Sequence, residues 1–467
     1  MKRPLANLLS LLFGDVGSRL IGFAISIYLA RVLAPAGFGL LSLGLAVLGY
    51  LQLASNPGIQ ILETRNAAAF VDVDRSRVNA VLSLRLVLAL ALWIVAAATA
   101  FLVVKDVEKR DVIILFSLSV FPFALMTDWF FQGKEAFVVV SVSRLAQYLV
   151  YGILVLLLVH AVSDVRLAPV AFGTASLVAA GVLWYVYRKR WGSIRLTWTP
   201  VLWKEILVKG VPVGTAMFLA QSVTNLPPLV IGYFSSTEDV GLFSSAMKLV
   251  FGFLLIDRLF NALFLPVVTR HFSADSKEIN TLVEVTLKVV SAIVIPVGVA
   301  GMILGRESVS LLYGEEYVNA TPLFIVLMGF FILTVFNSVF VNILVGSGRE
   351  NGYTRMVMWG SVVLCFATVT CTALFGALGA AWAIVLGECV TLLLMMKEAG
   401  KAVRVQVFPI LVRPLIAGAG MAGAALLLRE ENPVAVTAMA LLVFAVAEFL
   451  LKGITGKEIR FMRERFV

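Results

Sequence analysis

Reactive and charged side chains are scarce in this 467-residue chain: it has three cysteines and two histidines, and 14% of its residues are charged. Cys365, Cys371 and Cys389 all fall in apolar stretches. Free thiols there behave as small apolar side chains, so neither a disulfide framework nor a metal site is predicted. His160 and His271 form no H-E-x-x-H or other paired spacing, and no G-x-x-x-x-G-K-[ST] phosphate loop occurs, so no cofactor is implied. The longest outer hydrophilic segment, 306–321, is short and acidic (Glu307, Glu315, Glu316). That leaves little room for a catalytic domain, and the expectation is that the chain is not an enzyme.

Apolar residues are what the chain has in abundance, at 60% of the total. A soluble fold of this length needs more polar residues to cover its surface. Crossing hydrocarbon takes about 20 apolar residues, because a helix rises about 1.5 Å per residue through a core of about 30 Å. Fourteen stretches qualify: 8–30, 40–58, 78–104, 112–131, 136–159, 167–187, 211–234, 240–264, 282–304, 322–345, 356–374, 378–396, 411–428 and 434–451. The predicted class is an all-α polytopic membrane protein with about 14 transmembrane helices. Arg413 and Glu448 lie in the last two stretches, so twelve or thirteen spans are also compatible.

The net charge of +10 is not gathered on one element, which argues against a nucleic-acid partner. Assigned to alternate loops, 25 Lys and Arg fall on the side of the N-terminus and 7 on the other. The positive-inside rule then predicts cytoplasmic termini in a multi-pass protein of the plasma (inner) membrane. Lys2 and Arg3 precede an apolar run, but Gly14, Asp15 and Arg19 interrupt it and no A-x-A site follows. The run reads as a retained first helix rather than a signal peptide.

Three short matches recur in the same order. Gly39-Leu40-Leu41-Ser42 pairs with Gly241-Leu242-Phe243-Ser244, and Gly133-Lys134-Glu135 with Gly348-Arg349-Glu350. Ala171-Phe172-Gly173-Thr174-Ala175 pairs with Ala377-Leu378-Gly379-Ala380-Ala381. Six spans separate the members of each pair, which points to a duplication that preserves orientation. The predicted domains are 1–200 and 201–400, each a six-helix bundle, then 401–467. The last holds two added helices and a basic tail with Lys452, Lys457, Arg460, Arg463 and Arg465. The linker 188–210, with Trp191, Trp198 and Trp203 among basic residues, is expected to lie on the cytoplasmic headgroups.

Charges within spans are costly, at least about 2.5 kcal/mol near the bilayer centre, so they face a partner or a cavity. Arg19 lies close to the midplane, roughly 16 Å into the first span. Asp15 sits one turn before it, so Arg19 either forms a neutralised structural pair or faces a cavity that takes an anion. Lys248 and Arg144 lie at intermediate depth, and each reads as a ligand contact or an interfacial anchor. Arg258 adjoins Asp257, so the two side chains diverge. Gln221, Thr224 and Asn225 share one helical face. Asp128 and Glu388 join Asp15 as candidate charge partners or ion-coupling groups. Arg85 and Lys288 lie nearer the cytoplasmic ends and read as surface anchors, Lys288 with Glu284 one turn before it.

These features resemble the polysaccharide (O-antigen unit) flippases of the multidrug/oligosaccharidyl-lipid/polysaccharide exporter superfamily. The resemblance is carried by 29–39 (LARVLAPAGFG), 240–244 (VGLFS), 312–317 (LYGEEY), 346–349 (GSGR) and 375–381 (FGALGAA). It implies two six-helix bundles in a V around a central cavity that opens alternately to either side. The implied cargo is a polyprenyl-pyrophosphate-linked oligosaccharide, moved from the cytoplasmic to the outer leaflet for cell-surface polysaccharide biosynthesis. Arg19, Lys248, Arg144, Arg258, Gln221 and Asn225 are then candidate substrate-binding residues. Membrane lipid, a monovalent cation or proton, and a polysaccharide polymerase are the expected partners. The alternatives are a cation-coupled multidrug antiporter, in which Asp15 or Glu388 binds the cation, and a flippase for lipid II-type peptidoglycan precursors.

Overall fold

The computed structural model describes residues 2–69, 74–273, 278–428, 432–451, 453 and 458, with side chains from Gly17 onward except those of Ala216 and Ser273. The Asp15 carboxylate and the tail residues Lys452, Lys457, Arg460, Arg463 and Arg465 lie outside this set. Most of the described residues are helical, with no strand among them. The chain divides into two compact units, Met1–Gly241 and Leu242–Val467.

The first unit contains α1 (Lys2–Ala54), α2 (Ile59–Ala69), α3 (Arg75–Val103), α4 (Val107–Ser117), α5 (Val120–Leu125) and α6 (Asp128–Gly133). It continues with α7 (Phe137–Leu158), α8 (Leu167–Trp191), α9 (Pro200–Ala220), α10 (Ser222–Phe234) and the start of α11 (Thr237–Phe253). The second unit takes in the rest of α11, then α12 (Leu255–Ser273), α13 (Ile279–Ile303), α14 (Gly305–Tyr313), α15 (Thr321–Gly346), α16 (Glu350–Ala399), α17 (Val407–Leu427) and α18 (Pro433–Leu450).

Helices α1 and α16 have 53 and 50 residues. At about 1.5 Å per residue each would be roughly 75–80 Å long if straight, more than twice the hydrocarbon thickness. Each instead breaks inside: Ala34 adopts φ 54°, ψ 174° just before Pro35, and Gly376 adopts φ 60°, ψ −143°. Each therefore holds two of the expected spans. Eleven helices among the described residues are long and apolar enough to cross a membrane, or twelve with α9 and α10, which join at a 60° bend. Counting α1 and α16 twice gives the fourteen expected stretches. The chain is a multi-pass membrane protein.

Apolar side chains on the outer faces, such as Ile94, Val95, Phe101 and Leu102 of α3, are exposed. This is the surface that lipid covers. The interior of the first unit is an aromatic cluster in which Trp129, Phe130 and Phe131 meet Tyr187 and Trp203. Trp191 packs on Phe130 with ring centroids 5.0 Å apart. The 188–210 linker therefore differs from the expected headgroup helix. Helix α8 runs to Trp191, residues 192–199 form no regular element, and α9 begins at Pro200. This segment is strapped to α3, with Arg195 N donating to Asn79 Oδ1 (3.0 Å) and Thr197 N to Ser83 Oγ (2.8 Å). Trp203 is buried and donates to Ala80 O (3.0 Å). The bond offsets the burial of the indole N–H.

In the second unit α15 is the central helix. Its Phe324, Leu327, Met328, Phe331 and Val339 are fully buried, and it packs against α12, α13 and α16. Helices α17 and α18 pack on each other and on α13.

Candidate functional site

The stretch α4–α5–α6 forms one span interrupted at two points, 118–119 and 126–127. Each interruption breaks the regular i→i+4 ladder, which leaves carbonyl groups able to take further donors. Side chains from neighbouring helices supply such donors at the second. Arg85 Nη2 donates to Phe123 O (2.6 Å) and Nη1 to Met126 O (2.7 Å), and Trp184 Nε1 donates to Leu125 O (2.7 Å). The Arg85 side chain is buried, and its Nε has no hydrogen-bond partner. This overturns its reading as a surface anchor. Depth along one helix could not reveal the helix break, some forty residues on, that the guanidinium serves.

Beside this break, within the first unit, lies a cavity of about 680 Å³. Its lining includes Arg19, Arg85, Asp128, Arg144, Gln221 and Asn225. Both arms of α1 reach it, through Ser18 and Arg19 on one and Leu45 to Asn56, just past its end, on the other. Arg19 and Leu45 would stand about 39 Å apart on a straight helix. The break at Ala34 is what lets both arms border one cavity.

Polar groups are dense on these walls. Asn56 lies in the turn between α1 and α2, where its Oδ1 accepts from Gln60 N (3.2 Å). Gln60 Nε2 in turn donates to Asp128 Oδ2 (3.3 Å), at the first residue of α6. Gln147 donates to Ser176 Oγ (2.9 Å). Gln221 caps the end of α9 and the start of α10, so the bend delivers it together with Thr224 and Asn225. Glycines on α1 make room for two lining side chains: a Cβ on Gly49 would stand 2.6 Å from Asn225 Nδ2, and one on Gly22 2.7 Å from Tyr148 Cε1.

Five of the residues singled out in the sequence thus line one cavity: Arg19, Arg144, Gln221, Asn225 and Asp128. Three others belong to the second unit: Lys248 on α11, Arg258 on α12 and Glu388 on α16. There Asn337 Nδ2 donates to Glu388 Oε1 (3.0 Å), and Asn342 Nδ2 to Asn261 Oδ1 (2.7 Å). Lys288 pairs with Glu284 as spaced (3.2 Å), and also with Glu458 (2.7 Å). Sequence reasoning missed Arg85 and Gln60 as cavity residues. Asn56-Pro57 was the available signal for Gln60, four residues on.

The chain is thus a multi-pass helical membrane protein with a polar, arginine-bearing cavity among its candidate spans. Residues 5–270 match the family described as "Polysaccharide biosynthesis protein", and the chain belongs to that family. It is 23% identical over 391 residues to the "Putative O-antigen transporter" of Escherichia coli (strain K12), covering 79% of this chain and 90% of the relative. Its fold is that of the lipid II flippase MurJ in its inward closed conformation, with TM-score 0.74, 13% identity, and 97% and 99% of the two chains covered. An inward-facing multidrug resistance MATE family transporter of the MOP superfamily matches with TM-score 0.66 and 16% identity, covering 82% and 94%.

Proposed function

We propose that this protein is a flippase moving a polyprenyl-pyrophosphate-linked oligosaccharide from the cytoplasmic to the outer leaflet of the plasma (inner) membrane by alternating access, for surface polysaccharide biosynthesis. The observation that carries the reading is the cavity of the first unit, which bears Arg19 and Arg144 within membrane-spanning helices. A pyrophosphate taken from the headgroup region loses its hydration. Guanidinium groups replace it with charge-assisted, bidentate hydrogen bonds. The name of the Escherichia coli relative supports the same cargo class. Both termini are cytoplasmic in this reading. A proton or monovalent cation is exchanged through the carboxylates of the second unit, with Glu388 and its Asn337 partner as the coupling pair.

The test is loss of the gene. Lipid-linked glycan should accumulate on the cytoplasmic leaflet, and Arg19→Gln should reproduce that accumulation at normal protein abundance. Sensitisation to cationic drugs with glycan export intact would instead identify a multidrug antiporter.

A further inference from the structure

The cavity has two chemistries on its walls, and a single anion cannot use both. Arg19 and Arg144 suit pyrophosphate, whereas Asp128 repels it. Asp128 is nonetheless held in place with care. The Arg85 guanidinium fixes the α5–α6 break two residues before it through the carbonyls of Phe123 and Met126. Gln60 reaches it from α2, and Asn56 holds the start of Gln60's own helix.

We propose that the Asn56–Gln60–Asp128 ladder is a saccharide subsite that grips the first sugar of the cargo while the arginines hold its pyrophosphate. This rests on the flippase reading above. A carboxylate only accepts hydrogen bonds, and a glutamine amide both donates and accepts. Side by side they match vicinal sugar hydroxyls or an acetamido group, each of which both donates and accepts. The Gln60–Asp128 bond is long at 3.3 Å and uses one carboxylate oxygen, so Oδ1 is left for a sugar hydroxyl. Tyr148 and Phe172, also on the cavity wall, supply the apolar surfaces that the C–H face of a pyranose ring requires. Polar groups built to bond a hydroxyl discriminate strongly against a ligand that lacks it, because they are then left unpaired. The subsite is therefore where this transporter tells a loaded lipid from an empty one.

The experiment compares two probes on the full-length protein in detergent: undecaprenyl pyrophosphate, and the same lipid bearing one N-acetylglucosamine. The parent should bind the glycosylated probe about tenfold more tightly. Gln60→Met and Asp128→Asn should each bring that ratio close to one, chiefly by weakening the glycosylated probe. Arg19→Gln should weaken both probes together and keep the ratio. A parent without preference, or ladder variants that keep it, would overturn the subsite and leave the flippase reading standing. A parent that binds neither probe would overturn both.

Discussion

Gly39 and Gly241, which occupy matching positions in the two copies of a repeated motif, lie backbone against backbone within the first unit. A Cβ on Gly39 would stand 2.9 Å from Gly241 N and fall onto the carbonyl oxygen of Thr237. A Cβ on Gly241 would stand 3.1 Å from Gly39 N and fall onto that of Pro35. Main chain cannot move aside as a side chain can. Small residues at such crossings are what allow membrane helices to approach this closely.

Gly39→Ala and Gly241→Ala should therefore each destabilise the protein by about 1–3 kcal/mol, the usual range for overpacking. Thermal unfolding of the purified protein in detergent should show a lowered midpoint for both. Gly17→Ala, where a Cβ meets nothing within 4 Å, is the control and should be neutral or slightly stabilising.

The two helix breaks should respond in opposite directions to exchange of Ala and Gly. Ala34 holds a backbone conformation that costs an L-residue about 1 kcal/mol or more, so Ala34→Gly should raise the unfolding midpoint. Gly376→Ala should lower it by a similar amount, since glycine is the residue suited to φ 60°.

Arg85 should prove structurally indispensable in a way that Lys cannot replace. Arg85→Leu removes the two hydrogen bonds that its guanidinium donates to the Phe123 and Met126 carbonyls, at a cost of about 2–4 kcal/mol. Arg85→Lys keeps the charge but loses the planar fork that reaches both carbonyls. Thermal unfolding should rank parent above Arg85→Lys and Arg85→Leu lowest. Equal stability of the parent and the Lys variant would refute the forked role.

A fourth expectation concerns Glu63, which is 1% exposed and accepts from Arg77 Nε and Nη2, each at 2.9 Å. Asn66 Nδ2 adds a third bond at 3.1 Å. Arg77 is 23% exposed, so the pair is partly screened. Glu63→Ala should cost about 2 kcal/mol, less than for a wholly buried pair. A double-mutant cycle with Arg77→Ala should recover a coupling of about 1 kcal/mol or more.

The membrane spans were legible because twenty apolar residues leave an unambiguous mark, and the Ala34-Pro35 break fell between two such marks. Arg19 was legible as a cavity candidate because its depth follows from counting along its own helix. Arg85 was not, since its partners are carbonyls exposed by an irregularity between α5 and α6. That irregularity leaves no residue signature beyond Pro122. Trp203 misled for a related reason: its composition suited a headgroup surface, but its indole N–H had a carbonyl to reach at Ala80. The Lys288–Glu284 pair could be read from spacing, whereas Glu458, some 170 residues on, could not.

Gly22 and Gly49 bear on the width of the cavity in the first unit. Each presents bare main chain to a side chain of the cavity wall, Tyr148 in one case and Asn225 in the other. One added methyl at either position would drive that ring or amide inward. The wall is thus spaced by two residues with no side chain, Gly49 on the lining itself and Gly22 behind Tyr148. Gly22→Ala and Gly49→Ala should each narrow the cavity beside that side chain.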